Sequence, residues 1–528
     1  MTHESFSACI TLIYHFSKFV FMLKYKGDLI LHPFLISIFP IFFLFSLNVH
    51  EVPINDIFIP ITISISIAFV SWIILRKIFD GVKGANILSL FLLLFVIYGN
   101  LRMMLHDTGD VNLQLLNSNL ILGTIFLSIG ILGLIFFRRT QENKKINSIF
   151  NVIAITIILI LIMNVTIFFI DNSIGMSQEY FKNIPLIEKN LQEKPDVFVF
   201  ILDEFAGEKQ LMMDFNYDLN SFNQSLDERE FQIPKTSWSN YPNTALSMPS
   251  LLNMDYLEFL TFDLDEKSKD MRIPLKLRDQ NTVMKIFKTN GYDIVSFYGG
   301  LDATGDALIV NEKLCSFGTI NTDLRKNFVL TYLPLSYFND IFLANFQNEK
   351  LQCVFSYIEN YKTKKSQPTY HHIHIRLPHH PFIYDSEGNF LSYKIKSDDK
   401  NAYLQQLMFT EKKILELVDI LQKESPESVI MIISDHGYRP DINWEEPSND
   451  DLIRGFNVIT SFYFPGKEFT IDEKISLVNV YRIFFNEYFD YELPILTDKQ
   501  FWYNPSNPYI HFDITENLET RILNNIHD

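Results

Sequence analysis

The run Val429-Ile430-Met431-Ile432-Ile433-Ser434-Asp435-His436-Gly437 decides the fold and places the chemistry. Its five consecutive apolar residues predict a strand buried on both faces, as in a parallel sheet covered by helices. Asp435 and His436 then follow at the carboxyl end of the strand, the edge at which open α/β sheets bind their ligands. Charged groups at such a place are costly unless they are paired or bound to metal. We therefore expect a metal site there.

A second strand pattern also ends in carboxylates. Val197–Leu202 is a continuous apolar run, and Asp203 and Glu204 follow it directly. A carboxylate in this position is either an oxygen ligand for a divalent cation or the N-cap of the next helix, a role that Asp favours. The local sequence leaves both interpretations open.

Strand and helix patterns alternate through the polar part of the chain. Further strands are predicted at Tyr292–Phe297, His372–Leu377 and Asn457–Phe464, and helical periodicity is clearest at 281–289 and 400–423. Such alternation predicts an α/β domain with a mostly parallel central sheet.

A hydroxyl group stands at the start of another predicted helix. The segment Asn243–Leu252 changes from polar to apolar, and this predicts a helix that begins near Thr244. Thr244 is either the N-cap of that helix or a nucleophile whose pKa a metal ion lowers, with the helix N-terminus holding an anionic phosphate. Both interpretations remain open on local sequence.

Histidines cluster in one short segment. Five of the thirteen lie within ten residues, namely His371, His372, His374, His379 and His380. Alternation puts His372, His374 and Arg376 on one face of a strand. His379 lies in the loop beyond, where we assign it as a proton donor or phosphate-oxygen binder, with His380 beside it as a candidate substrate-binding residue. We interpret the others as structural.

The first third of the chain reads as a membrane domain. Five apolar segments approach the roughly 20 residues that a membrane-spanning helix needs, at about 29–48, 57–75, 85–101, 119–137 and 148–170. Residues 8–23 are interrupted by His15 and Lys18 and predict an interfacial helix. We expect a transmembrane domain over residues 1–171, a polar linker over 172–194 and an exported domain over 195–528.

Loop charges predict the orientation of these spans. Lys and Arg lie before the first span and after the second and fourth, whereas the intervening loops carry Asp and Glu. Positive loops stay in the cytoplasm. The amino terminus is therefore predicted inside the cell, and everything after about residue 171 is predicted outside.

Composition narrows the function classes. The formal net charge of −17 argues against a nucleic-acid partner, which needs clustered Lys and Arg. The three cysteines include no Cys-x-x-Cys pair, so a thiolate zinc site is not expected. In an exported domain Cys315 and Cys353 form either one disulfide or two separate buried thiols.

Together these motifs resemble the alkaline phosphatase superfamily, in its membrane-bound sulfatase-like branch. That branch includes the lipid A phosphoethanolamine transferases and the lipoteichoic acid synthases, which join five amino-terminal spans to an exported sulfatase-like domain. The nucleophilic threonine of the phosphoethanolamine transferases lies in a Thr-Ala-Val-Ser-Val-Pro context. The segment Thr244–Pro249, Thr-Ala-Leu-Ser-Met-Pro, is similar at four of six positions.

The resemblance implies roles for individual residues. Thr244 would be the nucleophile and a metal ligand, and Asp203, with Glu204 as the adjacent candidate, would be the metal-binding acid. Asp435 and His436 match the Asp-His metal pair of the family. His379-His380-Pro381 matches its His-x-Pro motif, and Arg454, in Ile453–Asn457, is a candidate for binding an anionic substrate. The implied cofactor is a divalent metal, zinc or manganese.

Two departures from the family pattern bear on the reaction. The segment Ser247–Leu251 lacks the arginine of the sulfatase Ser-x-Pro-x-Arg motif, which argues against formylglycine activation. The segment Tyr438–Asp451 lacks the histidine that the transferases carry some dozen residues after Asp-His-Gly. This absence leaves a second metal or phosphate-binding group without an assigned residue.

The resulting prediction is a multi-pass enzyme of the bacterial cytoplasmic (inner) membrane, with its catalytic domain on the extracytoplasmic, periplasmic side of the cell envelope. It would move phosphoethanolamine or phosphoglycerol from a phospholipid donor to a glycan or lipid acceptor through a phospho-threonine intermediate. The alternatives are a sulfatase- or phosphatase-type ester hydrolase and a catalytically degenerate envelope scaffold.

Overall fold

The computed structural model describes residues 28–49, 54–107, 119–171, 184, 186–189, 194–263, 268–297, 309–315, 336–362, 367–391, 399–467 and 470–518. The chain divides into two compact units. The first comprises Met1–Ile174 with Thr322–Asn339, and the second comprises Gly175–Asn321 with Asp340–Asp528. The predicted interfacial helix 8–23 and most of the predicted linker 172–194 lie outside the described residues.

The described part of the first unit contains five apolar helices: α1 (His32–Leu47), α2 (Phe58–Ile78), α3 (Gly81–Asp107), α4 (Asn119–Arg139) and α5 (Asn143–Asp171), with a 3-10 turn at Ile54–Ile57. Stretches of α2 to α5 are long and apolar enough to cross a membrane, namely Phe58–Ile78, Gly81–Leu101, Ile121–Arg139 and Asn143–Ile170. Many of their large apolar side chains are exposed, as a lipid-facing surface requires. The predicted class of this region, a set of apolar helices, is confirmed.

Helix α1 is shorter than the span predicted over 29–48. It has 16 residues, or about 24 Å at 1.5 Å per residue. Pro33 lies in its first turn, and the side-chain oxygen of Asn151 accepts hydrogen bonds from the backbone N–H groups of Leu31 and His32, which fixes the point at which the helix begins. The apolar pattern did not reveal this polar cap from another helix.

A buried polar network joins the starts of three helices in this unit. The ring of His32 contacts Ser89 Oγ at 2.5 Å and Asn147 Oδ1 at 3.0 Å. Asn86 donates a hydrogen bond to the backbone oxygen of Asn143. Polar side chains between apolar helices hold them together because lipid offers no alternative partners.

The second unit is built on a six-stranded sheet that contains β1 (Val197–Leu202), β3 (Asp293–Phe297), β4 (Glu312–Leu314), β5 (Thr369–Ile375), β6 (Val429–Ser434) and β8 (Thr460–Tyr463). Their order across the sheet is β4-β3-β5-β1-β6-β8. All neighbouring pairs are parallel except β6 with β8. The predicted mostly parallel α/β sheet is confirmed. Smaller sheets are formed by β2 (Thr236–Trp238), β7 (Asn457–Val458) and β9 (Lys474–Ser476), and by β10 (Phe501–Trp502) and β11 (Phe512–Asp513).

Helices cover both faces of the main sheet, as its fully apolar strands require. The helices of this unit are α6 (Glu208–Phe215), α7 (Asn220–Asp227), α8 (Thr244–Asn253), α9 (Phe259–Asp263), α10 (Arg272–Asp279), α11 (Thr282–Thr289), α12 (Ser336–Glu359), α13 (Lys400–Glu424), α14 (Asn449–Phe456) and α15 (Val480–Phe489), with a 3-10 turn at Leu477–Asn479. One core packs α6, α7, α12 and α13 against one face. The other core packs α8, α11 and α15 against the opposite face.

Two predicted strands differ from the observed ones by more than one residue in their bounds. The strand predicted at His372–Leu377 is Thr369–Ile375, so Arg376 lies beyond its end. The strand predicted at Asn457–Phe464 is divided into β7 and β8, which pair with different sheets. The histidines in β5 are buried, and His371 stacks on Phe198 with ring centroids 4.1 Å apart. The strand therefore begins three residues before the predicted one.

Cys315 and Cys353 form a disulfide, with their Cα atoms 5.7 Å apart. The bond links the segment after β4 to helix α12. Of the two possibilities that the sequence left open, the structure contains the paired one. Disulfides of this kind persist in oxidising compartments outside the cytosol.

A buried carboxyl group on α13 predicts a pH-dependent stability. Glu411 accepts a hydrogen bond from Tyr217, and burial raises the pKa of its carboxyl from 4.5 to about 7. The folded state therefore holds this proton more tightly than the unfolded state, so its contribution is complete below pH 4.5 and is lost as the pH rises through about 7. The change amounts to about 3 kcal/mol.

Glu411→Gln should remove this dependence. Thermal unfolding of the full-length protein between pH 4.5 and 7 is expected to show a steeper loss of stability for the wild type than for the variant. Glu416→Gln, at an exposed position of the same helix, is the matched control and should follow the wild type. Parallel pH profiles for wild type and Glu411→Gln would contradict the prediction.

Candidate metal and nucleophile site

The register of the central sheet brings the two predicted acidic segments to one edge. Strands β1 and β6 are parallel neighbours, with Leu202 opposite Ser434. The next residues, Asp203 and Asp435, therefore leave the sheet together at its carboxyl end, and both are buried. The helix after β1 begins at Glu208 with Gly207 as its N-cap, so Asp203 does not cap it.

The hydroxyl of Thr244 meets this pair of strands. Asn243 is the N-cap of α8 and Thr244 is its first residue, so the N-cap interpretation of Thr244 is wrong. Thr244 Oγ1 donates to Asp435 Oδ2 at 2.7 Å and lies 3.0 Å from His436 Nε2. One turn later, Ser247 Oγ donates to the backbone oxygen of Asp435 at 2.6 Å, which ties the helix start to the strand end.

Asp203, Asp435 and His436 form a group whose ligand atoms all lie within 4.8 Å of one another. His436 Nε2 is 3.8 Å from Asp203 Oδ1 and 3.4 Å from Asp435 Oδ2. Two buried carboxylates this close repel each other unless a cation lies between them. Their chemistry fits a divalent ion, because oxygen and imidazole ligands suit zinc and manganese.

The protonation of His436 also fits a metal ligand. Its Nδ1 donates to the backbone oxygen of Gly437 at 2.9 Å, which leaves the lone pair of Nε2 facing Thr244 and the two carboxylates. Burial, helped by the nearby positive charge of Arg439, holds the pKa of His436 well below its usual value. The imidazole is therefore neutral, as metal binding requires.

Gly437 allows the loop after His436 to pack closely. A Cβ atom at this position would lie 2.3 Å from the backbone oxygen of Arg454 and 2.7 Å from the side-chain oxygen of Gln210. Any side chain would therefore force the loop away from α14 and α6. The Asp-His-Gly sequence thus combines two ligand candidates with the residue that lets their loop fit.

Glu204 adopts a strained backbone conformation beside the metal group. Its φ is 63°, in the left-handed region that side chains other than glycine seldom occupy. The Tyr403 hydroxyl donates to its backbone oxygen at 2.8 Å, and Asp435 Oδ1 accepts its backbone N–H at 3.2 Å. These contacts direct the Glu204 carboxylate toward Arg439, at 3.4 Å, and His379, at 3.9 Å.

His379 and His380 lie beyond the end of β5, as predicted, with their rings stacked 4.4 Å apart. They form a second group of possible ligands with Glu204. Burial lowers the pKa of His379 to about 3, although the Glu204 carboxylate opposes the shift. A neutral imidazole suits an acceptor of hydrogen bonds or a metal ligand better than a proton donor. The roles predicted for His379 and His380 remain predictions.

Arg454 has protein partners for its guanidinium group. It makes a two-pronged ion pair with Asp214, whose closest distance is 2.6 Å, and a longer contact of 3.3 Å with Asp451. This geometry is that of a structural salt bridge between α14 and α6. The substrate-binding role predicted for Arg454 remains untested.

Arg439 is a site residue that the sequence analysis missed. Its Nη2 lies 3.2 Å from His436 Nε2 and 3.4 Å from Glu204 Oε1. It belongs to an irregular loop with no periodic pattern. Its spacing of three residues from His436 was the only signal available.

Tyr403 holds the backbone next to the site through its hydroxyl group, and loss of that hydroxyl should lower the stability of the protein. The Tyr403 hydroxyl also accepts the backbone N–H of Ala206 at 3.0 Å, and its ring stacks 3.7 Å from that of Tyr438. Tyr403→Phe leaves two buried backbone groups without this partner, so we expect a loss of about 1 to 3 kcal/mol in the free energy of unfolding. Tyr463→Phe, whose hydroxyl donates to Pro426 at 3.2 Å in a part-buried position, is the control. Equal thermal shifts for the two variants would contradict a special role for Tyr403.

The family model described as Sulfatase matches residues 195–454 of this chain. The chain therefore carries a sulfatase-family domain, consistent with the alkaline phosphatase superfamily that its motifs resemble. All of the residues placed at the site above fall within the matched segment. No curated protein matches the chain by sequence.

Solved structures with a similar fold include transferases and sulfatases. The C-terminal periplasmic domain of EcEptC from Escherichia coli is 13% identical over 62% of this chain and 94% of that one, with a TM-score of 0.40. The corresponding domain of phosphoethanolamine transferase EptC from Campylobacter jejuni is 16% identical over 60% and 95%, with a TM-score of 0.34. A putative sulfatase from Bacteroides thetaiotaomicron is 14% identical over 53% and 67%, with a TM-score of 0.33. These similarities concern the fold alone.

Proposed function

We propose that this protein is a membrane-anchored, metal-dependent transferase that moves a phospholipid head-group substituent to an envelope glycan or lipid through a phospho-threonine intermediate. The observation that carries the proposal is the position of Thr244. Its hydroxyl lies at a helix N-terminus, 2.7 Å from Asp435 and 3.0 Å from His436. A hydroxyl held against a group of metal-ligand candidates is an activated nucleophile.

Asp203, Asp435, His436 and Thr244 would hold the metal ion, with Glu204 as a further candidate. When bound, the ion would lower the pKa of the Thr244 hydroxyl and draw charge from the phosphoryl oxygens. The oxygen and imidazole ligand types support zinc or manganese as the ion. Side chains of the protein would supply the nucleophile, accept its proton and orient the acceptor.

In the first step, Thr244 Oγ1 forms a bond to the phosphorus of the phospholipid head group. The bond from phosphorus to the diacylglycerol oxygen breaks. The threonine proton leaves through the Asp435 carboxylate that accepts its hydrogen bond, and the diacylglycerol oxygen takes up a proton from solvent. The free N–H groups at the start of α8 stabilise the phosphoryl oxygens.

In the second step, an acceptor hydroxyl attacks the phosphorus and the bond to Thr244 Oγ1 breaks. The acceptor hydroxyl releases its proton to solvent, and Thr244 Oγ1 regains one through the Asp435 carboxyl group. His379, whose Nδ1 accepts a hydrogen bond from Arg376 Nε at 3.2 Å, would orient the acceptor hydroxyl through its Nε2 atom, next to Glu204. Two successive displacements at one phosphorus predict ping-pong kinetics.

The helices of the first unit would place the reaction at a membrane. Residues 1–171 would anchor the chain in the bacterial cytoplasmic membrane, 172–194 would link, and 195–528 would form the extracytoplasmic catalytic domain. The loop charges and the disulfide between Cys315 and Cys353 support this orientation. Anchoring raises the effective concentration of a lipid donor at the site.

An ester hydrolase is the second candidate, because the matched family model is that of the sulfatases. In that reaction water, rather than a sugar or lipid hydroxyl, would be the final acceptor. The hydroxyl of Ser247, the first residue of the segment that resembles the sulfatase Ser-x-Pro-x-Arg motif, is buried and hydrogen-bonded to the Asp435 backbone. This contact favours Thr244 as the nucleophile in either reaction.

The test is detection of the covalent intermediate. Full-length protein loaded with zinc would be incubated with vesicles of phosphatidylethanolamine or phosphatidylglycerol, and the peptide containing Thr244 would be analysed by mass spectrometry. We expect a phosphoethanolamine or phosphoglycerol adduct on Thr244. An unmodified peptide together with release of phosphate or sulfate from soluble esters would favour the hydrolase. An absence of bound metal, of adduct and of hydrolysis would favour an envelope scaffold.

A further inference from the structure

The guanidinium group of Arg439 contacts the site residues Glu204 and His436 but is not fully paired by them. Its side chain is 15% exposed, and Nη2 contacts Glu204 Oε1 at 3.4 Å and His436 Nε2 at 3.2 Å. Both contacts are long for a charged hydrogen bond. Its Nε atom is buried and has no hydrogen-bond partner among the described residues. Buried donors are normally paired, so this guanidinium retains unused capacity for an acceptor.

Arg454, on α14, uses its donors differently from Arg439. Arg454 directs two nitrogens to Asp214 at distances down to 2.6 Å and a third to Asp451. Its donors are satisfied by protein carboxylates. Arg439 instead faces one carboxylate and an imidazole that is itself a ligand candidate.

Two stacked tryptophan rings, Trp444 and Trp502, fix the position of the Arg439 guanidinium group. The Cζ atom of Arg439 lies 5.6 Å from the ring centroid of Trp444, which stacks on Trp502 at 5.1 Å. Trp502 Nε1 donates to the backbone oxygen of Trp444 at 3.2 Å. A guanidinium held over a fixed ring loses little entropy when it binds an anion.

The charges around the site indicate what kind of anion fits. Asp203, Glu204 and Asp435 contribute three negative charges. Two positive charges come from Arg439, which contacts Glu204, and from Arg376, whose Nε lies 3.2 Å from His379 Nδ1. A divalent cation would convert the net charge from one negative to one positive. A monoanionic ester balances that charge, whereas a phosphomonoester dianion exceeds it. Without Arg439 the balance for the monoanion is lost.

We propose that Arg439 is a substrate-binding residue that holds a non-bridging oxygen of a tetrahedral monoanion, a phosphodiester or sulfate ester, beside the metal group. This inference rests on the proposed function and extends it to substrate specificity. The loop Tyr438–Asp451 contains no histidine, and the guanidinium supplies the positive charge in that loop.

The test compares full-length, zinc-loaded wild type with Arg439→Ala and Arg439→Lys. The probes are bis(p-nitrophenyl) phosphate, a monoanion, and p-nitrophenyl phosphate, a dianion. We expect Arg439→Ala to lower kcat/KM for the diester by about 10²- to 10³-fold, as removal of a positioned donor does. Zinc content should stay at the wild-type level, and Arg439→Lys should recover only part of the loss because it lacks the fork geometry.

Two further arms separate substrate binding from structural support. Added methylguanidine should restore part of the activity of Arg439→Ala, which a folding defect would not allow. Arg229→Ala, which removes an ion pair with Asp419 on α13, is the matched control and should behave as wild type. A kcat/KM for Arg439→Ala close to the wild-type value would overturn the proposal, as would a loss of zinc together with the activity.

The experiments distinguish failure of the role proposed for Arg439 from failure of the proposed transferase function. If wild type hydrolyses the diester but never carries an adduct on Thr244, the transferase proposal fails and the Arg439 effect still decides this inference. If wild type forms the adduct and Arg439→Ala forms it equally well, the transferase stands and this inference fails. If wild type acts on neither ester and forms no adduct, both fail.

Discussion

Thr244→Ala is expected to lower the rate of head-group transfer by on the order of 10⁴-fold or more, because it removes the atom that forms the covalent intermediate. The hydroxyl contacts Asp435 and His436 directly, and no other described hydroxyl contacts both. Metal content should fall only in part, since three other candidate ligands remain. The measurements are transfer of labelled head groups in full-length protein, metal analysis, and mass spectrometry of the Thr244 peptide.

Ser247→Ala is the informative comparison. Its hydroxyl lies one helical turn away and donates to the Asp435 backbone, so its loss should affect positioning but leave the adduct in place. Thr244→Ser keeps a hydroxyl and should retain part of the activity. An adduct that survives Thr244→Ala but disappears in Ser247→Ala would assign the nucleophile to Ser247 instead.

Asp435→Asn should abolish metal binding and activity together, with an expected loss of 10³-fold or more in transfer, on the order of what loss of a catalytic group costs. Asp435 is fully buried and touches Thr244, His436 and the backbone of Glu204, so its charge serves the whole group. An amide in its place accepts fewer hydrogen bonds and does not balance a divalent cation.

Stability provides an independent measure of the same change. Zinc at 100 times its dissociation constant should stabilise the wild type by about 2.7 kcal/mol, and Asp435→Asn should gain much less. The metal-free variant should be at least as stable as the metal-free wild type, because a buried repulsion with Asp203 is relieved. Asp419→Asn, on the exposed side of α13, serves as control. A zinc-dependent thermal shift that persists in Asp435→Asn would show that the ion binds elsewhere.

Strand-end chemistry was predictable because a parallel sheet has strict geometry. Once Val197–Leu202 and Val429–Ile433 are recognised as buried parallel strands, Asp203 and Asp435 must emerge at the same edge. The polar start of α8 likewise marked Thr244. These inferences need only periodicity and strand direction, both of which a single sequence carries.

Other features depend on contacts that are distant in sequence. The start of α1 is set by Asn151, 120 residues away from Leu31. The left-handed backbone of Glu204 depends on Tyr403, and the position of Arg439 depends on Trp444 within an irregular loop. Glu204 and Arg439 are not part of a periodic pattern, so the local sequence could not predict their conformations or contacts.

At residue 204, the stability of the fold and the chemistry of the site favour different amino acids. A left-handed glutamate costs about 1 to 3 kcal/mol, whereas glycine adopts this geometry at little steric cost. Selection for heat tolerance alone would therefore favour Glu204→Gly and would discard the carboxylate that faces Arg439 and His379. A protein that keeps glutamate at this position is less stable but retains the carboxylate of the site. A stabilised variant that is meant to stay active should therefore leave residue 204 unchanged.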